Sequence, residues 1–238
     1  MKVIIICDGA SRGNPGPGGW GVVVASERHV EEKGGYVGRT TNNKMELTAA
    51  IEGLGLVPAQ ATAVAVYTDS TYVKKGITEW VNGWTSNNWM TSQKKPVENV
   101  ELWQALVDAS ALFNIEWHVI PGHAGIPANE RVDDIATAYA TGDAVSLYDG
   151  TRKAYEVSLD LSPAVIAAAA KHKKAQLPSK SKSASSRKAF SYISVIGGVV
   201  QTHKTWDECK DRVHGKAAKF KKVFSAAEEQ ALVREWSV

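Results

Sequence analysis

Apolar positions in the first 142 residues fall into two rhythms. Residues 3–7 and 20–25 are short, unbroken apolar runs rich in β-branched side chains, and 31–36 is a third, more polar one. Their lengths predict three strands in an antiparallel meander, with the turn-rich stretch SRGNPGPGG (11–19) between the first two. From residue 42 the period becomes helical: Leu47, Ala50, Ile51 and Leu54 form one stripe, predicting a helix that runs to about Leu56 with Asn42 or Asn43 as its cap. Residues 63–68 return to strand character, 70–76, 78–82 and 100–112 to helix, and 115–120 to strand. Residues 129–140 make a last helix with Val132, Ile135, Ala136, Tyr139 and Ala140 on one side. The order βββ-α-β-α-α-β-α predicts one mixed α/β domain of three antiparallel strands plus parallel ones, ending near residue 142.

Beyond it the pattern lapses. Residues 163–190 hold seven Lys/Arg, no acids and runs of Ala and Ser, the composition of a basic linker whose Ala-rich part, 163–177, suits a short helix. A flexible stretch of those 28 residues would span roughly 30 Å. Residues 143–162 have no clear pattern; they either add a hairpin to the first domain or belong to the linker, and they are grouped with the latter, giving a linker over 143–188. Patterned sequence resumes with a strand at 191–195, Thr205 as the cap of a helix over 206–213, and a helix over 226–236. A second, small α/β module is therefore expected at 189–238.

Charge divides along the same line. Residues 1–150 carry 11 Lys+Arg against 17 Asp+Glu, a net of −6, and residues 151–238 carry 17 against 8, a net of +9. A basic tail seeks a polyanion, whereas the acidic half can meet one only where cations neutralise it. The two cysteines, Cys7 and Cys209, stand far apart in unlike contexts, which excludes a disulfide framework or a cysteine-rich metal site. The opening MKVIIIC is too short for a secretory leader, and no apolar run could span a bilayer. A cytoplasmic monomer without membrane contact is the expectation.

Four acids stand out by position. Asp8 and Asp69 each follow an apolar strand, where α/β sheets gather functional groups. Glu46 lies about 90° from its helix's apolar stripe, by the wheel. Asp133 sits at the edge of its own stripe, beside Ala140, while its neighbour Asp134 projects to the opposite side. Singly, each is equally well a loop residue, a solvated charge or an acid in a helix's first turn. Together, if the two strands are neighbours, they make a carboxylate cluster that divalent cations would have to neutralise. An all-oxygen donor set suits Mg²⁺ or Mn²⁺, and paired ions of this kind drive phosphodiester hydrolysis.

The segments CDGASRGNPGPGGWG, TTNNKMEL, YTDSTYVKKGI and PGHAGIPANERVDDIA closely resemble the signature segments of type 1 ribonuclease H, in the family's order and at similar separations over residues 1–142. The resemblance implies the ribonuclease H-like fold and cleavage of the RNA strand of RNA–DNA hybrids, leaving 5′-phosphate and 3′-hydroxyl ends. It assigns Asp8, Glu46, Asp69 and, through Asn-Glu-Arg-x-Asp, Asp133 as ligands of two Mg²⁺ ions, with Mn²⁺ as a substitute. His123, in GHAG, matches the family's catalytic loop and is expected in proton transfer or product release. Asn14 and Asn43 match hybrid-reading amides; Arg39, Thr41 and Asn99 match a DNA-phosphate pocket; Trp80 and Trp84 match the aromatic substrate channel. Trp89 and Trp103 are expected in the core. In place of the lysines that relatives often carry after Trp84, this chain has TSNN, although Lys74, Lys75, Lys94 and Lys95 remain nearby. The first domain alone should therefore hold substrate less tightly.

The tail, SYISVIGGVVQTHKTWDECKDRVHGKAAKFKKVF, resembles the small hybrid-binding domain found at the N-terminus of many cellular ribonucleases H, here at the opposite end. That resemblance places Tyr192, Trp206, Phe220, Lys221 and Lys222 against the DNA strand of a hybrid, with double-stranded RNA as a further ligand. IGGVVQ replaces the family's basic hairpin, and Val223 reads as an insertion. Two other readings keep the fold: a nuclease of another substrate class, which the NPGPGG loop and His123 segment argue against, and a non-catalytic binder, which the four acids argue against.

Overall fold

A computed structural model of the protein describes residues 1–176 and 189–237. The chain divides into two compact units, the first ending at Gln176. The meander forms as expected but with longer strands: β1 (Lys2–Ser11), β2 (Gly16–Ala25) and β3 (His29–Thr40). Helix α1 (Asn42–Gly55) follows, and β4 (Ala63–Thr68) lies parallel to β1. The cap of α1 is Thr41, whose hydroxyl accepts from the Lys44 N–H, not Asn42 or Asn43. Next come α2 (Thr71–Lys75), a π-helical turn (Gly76–Trp80) and α3 (Val81–Ser86), where two separate helices were expected. Helix α4 (Val100–Ser110), β5 (Ile115–Val119) and α5 (Pro127–Thr141) complete the expected order.

Strand alternation gives this sheet two buried faces. Val3, Ile5, Cys7, Val22 and Val24 point towards α1 and α4 and pack with Leu47, Leu54, Trp103 and Leu106. Ile6, Val23, Ala25 and Val30 point the other way and pack with Ile126 and Val132.

The unit does not stop near residue 142. Residues 149–151 form β6 (Asp149–Thr151), which pairs antiparallel with β3 and closes the sheet order β5-β4-β1-β2-β3-β6. The cause is Glu32, a β3 residue only 5% exposed. It accepts from Arg131 Nε and Nη2 at 2.8 and 2.6 Å, from the Tyr155 hydroxyl at 2.7 Å and from the Tyr148 N–H at 3.0 Å. Burial alone would raise the Glu32 carboxyl, but those donors outweigh it and hold it below the ordinary carboxylate range. A buried charge so fully bonded pins 148–155 to the sheet, because releasing those partners would leave the carboxylate unpaired. Beyond it, α6 (Pro163–Gln176) takes up half of the basic stretch 163–190. Alanine favours helix, and Leu161, Ile166 and Ala169 join the core on the α5 face. The rest of the expected linker, 177–188, lies outside the described residues.

The second unit is described from 189. Strands β7 (Ser191–Ile196), β8 (Val199–His203) and β9 (Ala218–Val223) form a sheet in the order β8-β7-β9. Helix α7 (Trp206–Val213) starts on a capping box between Thr205 and Glu208, and α8 (Ala226–Trp236) on Ser225. Ile193, Val223 and Leu232 form its core. No helix among the described residues is long and apolar enough to cross a membrane.

Candidate active site

Asp8 lies inside β1, paired with Gly21 of β2, not beyond the strand's end as its apolar run suggested. On its other edge β4 runs out: the last β1–β4 pair is Ile6 with Tyr67, and β4 closes at Thr68. The sheet parts at this level, with Asp8 on one side of the opening and Asp69 on the other, the usual place for chemistry in such sheets. Two glycines bring the helices in. A Cβ on Gly9 would lie 2.3 Å from the backbone nitrogen of Glu46, so α1 rests directly on β1. A Cβ on Gly21 would lie 2.5 Å from the Val132 carbonyl oxygen, so α5 presses on β2 and carries Asp133 in beside Asp8.

Asp8, Glu46 and Asp133 each have a close polar partner. Asp8 accepts from the Gly9 N–H at 2.7 Å. Glu46 accepts from the Ser70 hydroxyl and from Asn42 Nδ2 at 2.8 Å. Asp133 faces Nδ1 of His123 at 3.3 Å. Burial pushes the Asp8 carboxyl up to about 8, helped by the charges of Asp69, Asp133 and Glu46. Asp69 is also raised, by burial and by Asp133, against the opposing charges of His123 and Lys173. Glu46 is raised by burial and Asp69, against its two donors. Mutual repulsion of this kind marks a place that favours positive charge.

As they stand, no three of these groups among the described residues close around a single point. Glu46 is held towards Ser70 and Asn42, and Asp133 towards His123, so ligation requires side chains to turn inward. The donor set itself fits a hard divalent cation: it is all carboxylate oxygen, with Asp8 buried and Glu46, Asp69 and Asp133 half-buried.

The residues expected to meet substrate surround this opening unevenly. Arg39 and Asn99 line one cleft of about 480 Å³ together with Thr40 and Lys44. Thr41, expected with them, spends its hydroxyl on capping α1. Asn99, at φ +59°, donates to the Tyr72 hydroxyl at 3.1 Å. Asn14 and Asn43 are both exposed. The rings of Trp80 and Trp84 lie 5.7 Å apart, Trp80 exposed and Trp84 half-buried. Trp103 is fully buried and Trp89 packs against the same core, as expected of both.

In the second unit, Tyr192, Trp206 and Phe220 form one run of rings, with centroids 5.6 and 5.4 Å apart. Strand register pairs Tyr192 with Lys222 and Ile193 with Lys221. Because successive side chains alternate, Lys222 shares the aromatic face while Lys221 takes the opposite one, with buried Ile193. Of the two lysines expected against the DNA strand, the register puts Lys222 on the ring face and Lys221 on the other.

Three contributors escaped the sequence reading. Ser70 and Asn42 hold Glu46, and both had a local signal: Ser70 adjoins Asp69, and Asn42 lies one helical turn before Glu46. Lys173, which donates to the Gly122 carbonyl at 2.7 Å, had none.

Comparison with known proteins agrees with this geometry. The RNase H family model matches residues 1–141. Ribonuclease H of Cupriavidus metallidurans is 50% identical over 136 residues, which cover 57% of this chain and 93% of that one. Ribonuclease H of Marinobacter nauticus is 51% identical over 135 residues, 57% of this chain and 91% of that one. Among solved structures, LC9-RNase H1, described as a type 1 RNase H with the type 2 active-site motif, superposes with a TM-score of 0.55 at 32% identity. That match covers 63% of this chain and 77% of the other. The family match ends before α6 and the second unit begin. Identity near one half, over a fold that places the same motifs around one opening, leaves a single assignment: the chain belongs to the ribonuclease H family, and its activity is that of a ribonuclease H.

Proposed function

We propose that the protein is an endonuclease that hydrolyses the RNA strand of RNA–DNA hybrids, leaving 5′-phosphate and 3′-hydroxyl ends, with Asp8, Glu46, Asp69 and Asp133 holding two divalent cations. The observation that carries this reading is the convergence of four carboxylates from β1, α1, the end of β4 and α5, with the Asp8 carboxyl pushed up to about 8 by burial and its acidic neighbours. Mg²⁺, with Mn²⁺ as a substitute, would neutralise these groups and supply the Lewis acidity that phosphodiester hydrolysis needs. Ser70 and Asn42 orient Glu46 for this role. His123 stands 74% exposed at the rim, on a loop with positive φ at both His123 and Gly125. Its imidazole moves a proton to or from the reacting phosphate or the departing product. Trp80 and Trp84 offer stacking surface for the DNA strand, the Arg39–Asn99 cleft takes a DNA phosphate, and Asn14 and Asn43 read the minor groove, with Thr41 capping the helix turn that carries Asn43. Both thiols, Cys7 and Cys209, are free and buried, which suits a reducing cytoplasm.

The test is cleavage of end-labelled duplexes with Mg²⁺ or Mn²⁺. The RNA strand of an RNA–DNA duplex is cut, while double-stranded DNA and double-stranded RNA stay intact. Cutting of the DNA strand would overturn the proposal.

The second unit tethers the hybrid. Its exposed Trp206 and Phe220, with Tyr192 and Lys222 on the same face, make a sugar–phosphate platform. Retention of double-stranded RNA on the same surface is expected without cleavage. Deleting residues 189–238 should raise KM by about tenfold through loss of effective concentration, while single-turnover cleavage at saturating enzyme stays as it was. An unchanged KM would remove the tethering role.

A further inference from the structure

Helix α6 lies beyond the family's catalytic fold, yet it reaches the catalytic loop. Ile166, Ala169 and Lys173 recur at helical spacing and share one side. Ile166 and Ala169 pack into the same cluster as Ala124 and Ile126, which follow His123 on its loop. One turn further, Lys173 Nζ donates to the Gly122 carbonyl at 2.7 Å across 51 positions of sequence. That carbonyl belongs to the peptide joining Gly122 to His123.

The loop needs such support. The last sheet bond before it runs from the Ile120 N–H to the Thr68 carbonyl. His123 then takes φ +50°, a left-handed conformation unusual for a side-chain-bearing residue, and Gly125 takes φ +78°. Gly122 is wedged against Asp69: a Cβ there would lie 1.9 Å from Asp69 Oδ2. A rotation of the 122–123 peptide therefore changes where the imidazole stands relative to Asp133, and it presses on Asp69.

We propose that Lys173 is a positioning residue for the reaction: its ammonium fixes the Gly122–His123 peptide so that the imidazole is held at the mouth of the carboxylate cluster. The inference rests on the reading of His123 as the proton-transferring group. It makes α6 part of the enzyme's working structure, although its basic, Ala-rich sequence resembles a spacer.

The test is steady-state cleavage of hybrid by the full chain carrying Lys173→Ala, Lys173→Arg, His123→Ala, or Lys173→Ala with His123→Ala, and Lys174→Ala as a control on the same helix. Lys173 is exposed along much of its length, so its truncation opens no core. Lys173→Ala should lower kcat by about tenfold and change KM by less than about twofold, as expected when a reacting group is misplaced and binding is not. Lys173→Arg keeps a donor and should recover most of the rate, and Lys174→Ala should match the parent. With His123→Ala present, Lys173→Ala should add little, because both act through one group. Full kcat in Lys173→Ala overturns the proposal. So does an undiminished effect in the His123→Ala background, or a rise in KM with a shallower salt dependence, which would make Lys173 a phosphate contact. Full activity of His123→Ala would instead remove the role assigned to His123, a distinct outcome.

Discussion

Asp8→Asn should abolish cleavage and steady the fold at the same time. Asn keeps the shape of the side chain and one acceptor for the Gly9 N–H, but it removes the charge at the centre of the four-carboxylate site. The loss of kcat should be at least about 10³-fold, the scale for removing a cation-holding charge from phosphodiester hydrolysis. Stability should move the other way because of the sign of the Asp8 shift. Its folded-state carboxyl titrates near 8, against 3.8 for a free aspartate. Between those values the folded chain binds a proton that the unfolded chain has released, so metal-free stability falls as pH rises from about 4 to about 8. Asn has no such transition. The gap in Tm between Asp8→Asn and the parent, measured without divalent ions, should therefore open across that window in favour of the variant. Added Mg²⁺ should narrow it by stabilising the parent alone. Retained cleavage, or a gap that closes with rising pH, would remove Asp8 from the centre of the site.

How far this site could be read without coordinates depended on whether its determinants were local. The run 63–68 is a strand by length and branching, Thr205 is a cap by its spacing to Glu208, and the wheel separated Asp133 from Asp134; each needs only near neighbours. The contributors that stayed hidden depend on distant partners. Glu32 looks like an alternating polar residue of an edge strand. Its burial comes from Arg131, Tyr148 and Tyr155, 99 to 123 positions away. That single group pins 148–155, with the short strand Asp149–Thr151, to the sheet. Helix α6 buries only Ala169 outright, with Ile166 half-covered, too narrow a stripe to stand out from an alanine run. Lys173 is one of seven Lys/Arg between residues 163 and 190, and nothing about its position singles it out until the Gly122 carbonyl is placed beside it. In KFKK the last two lysines are equivalent until the register with β7 sends Lys222 to the aromatic face and Lys221 to the other. The first unit's strand order and its acids are thus largely legible because its elements are patterned one by one. The elements that follow α5 are held by a few long-range polar contacts that leave no period.

Adjacent aspartates on α5 give the sharpest separation: Asp133→Asn should cripple the enzyme and Asp134→Asn should leave it nearly intact. Both changes are isosteric, both fall on a helix well anchored by Val132, Ile135 and Ala136, and both remove one negative charge. They differ in what the charge faces. Asp133 is half-buried, meets His123 at 3.3 Å, and its charge raises the carboxyls of both Asp8 and Asp69. Asp134, one residue and about 100° further round the helix, is exposed, and its charge is felt by Arg131. An exposed charge of that kind is worth little, so Asp134→Asn should hold kcat within about twofold. Asp133→Asn removes a charged ligand for a divalent ion and the negative charge that faces the His123 imidazole, so kcat should fall by about 10²–10³-fold, with the requirement for Mg²⁺ shifted to higher concentration. Titrating Mg²⁺ against single-turnover rates for both variants separates the two effects. A severe Asp134→Asn beside a mild Asp133→Asn would mean that α5 presents its other face to the opening. The approach of Val132 to Gly21 allows no such rotation, because a quarter turn of α5 would replace that backbone contact with side chains for which β2 has left no space.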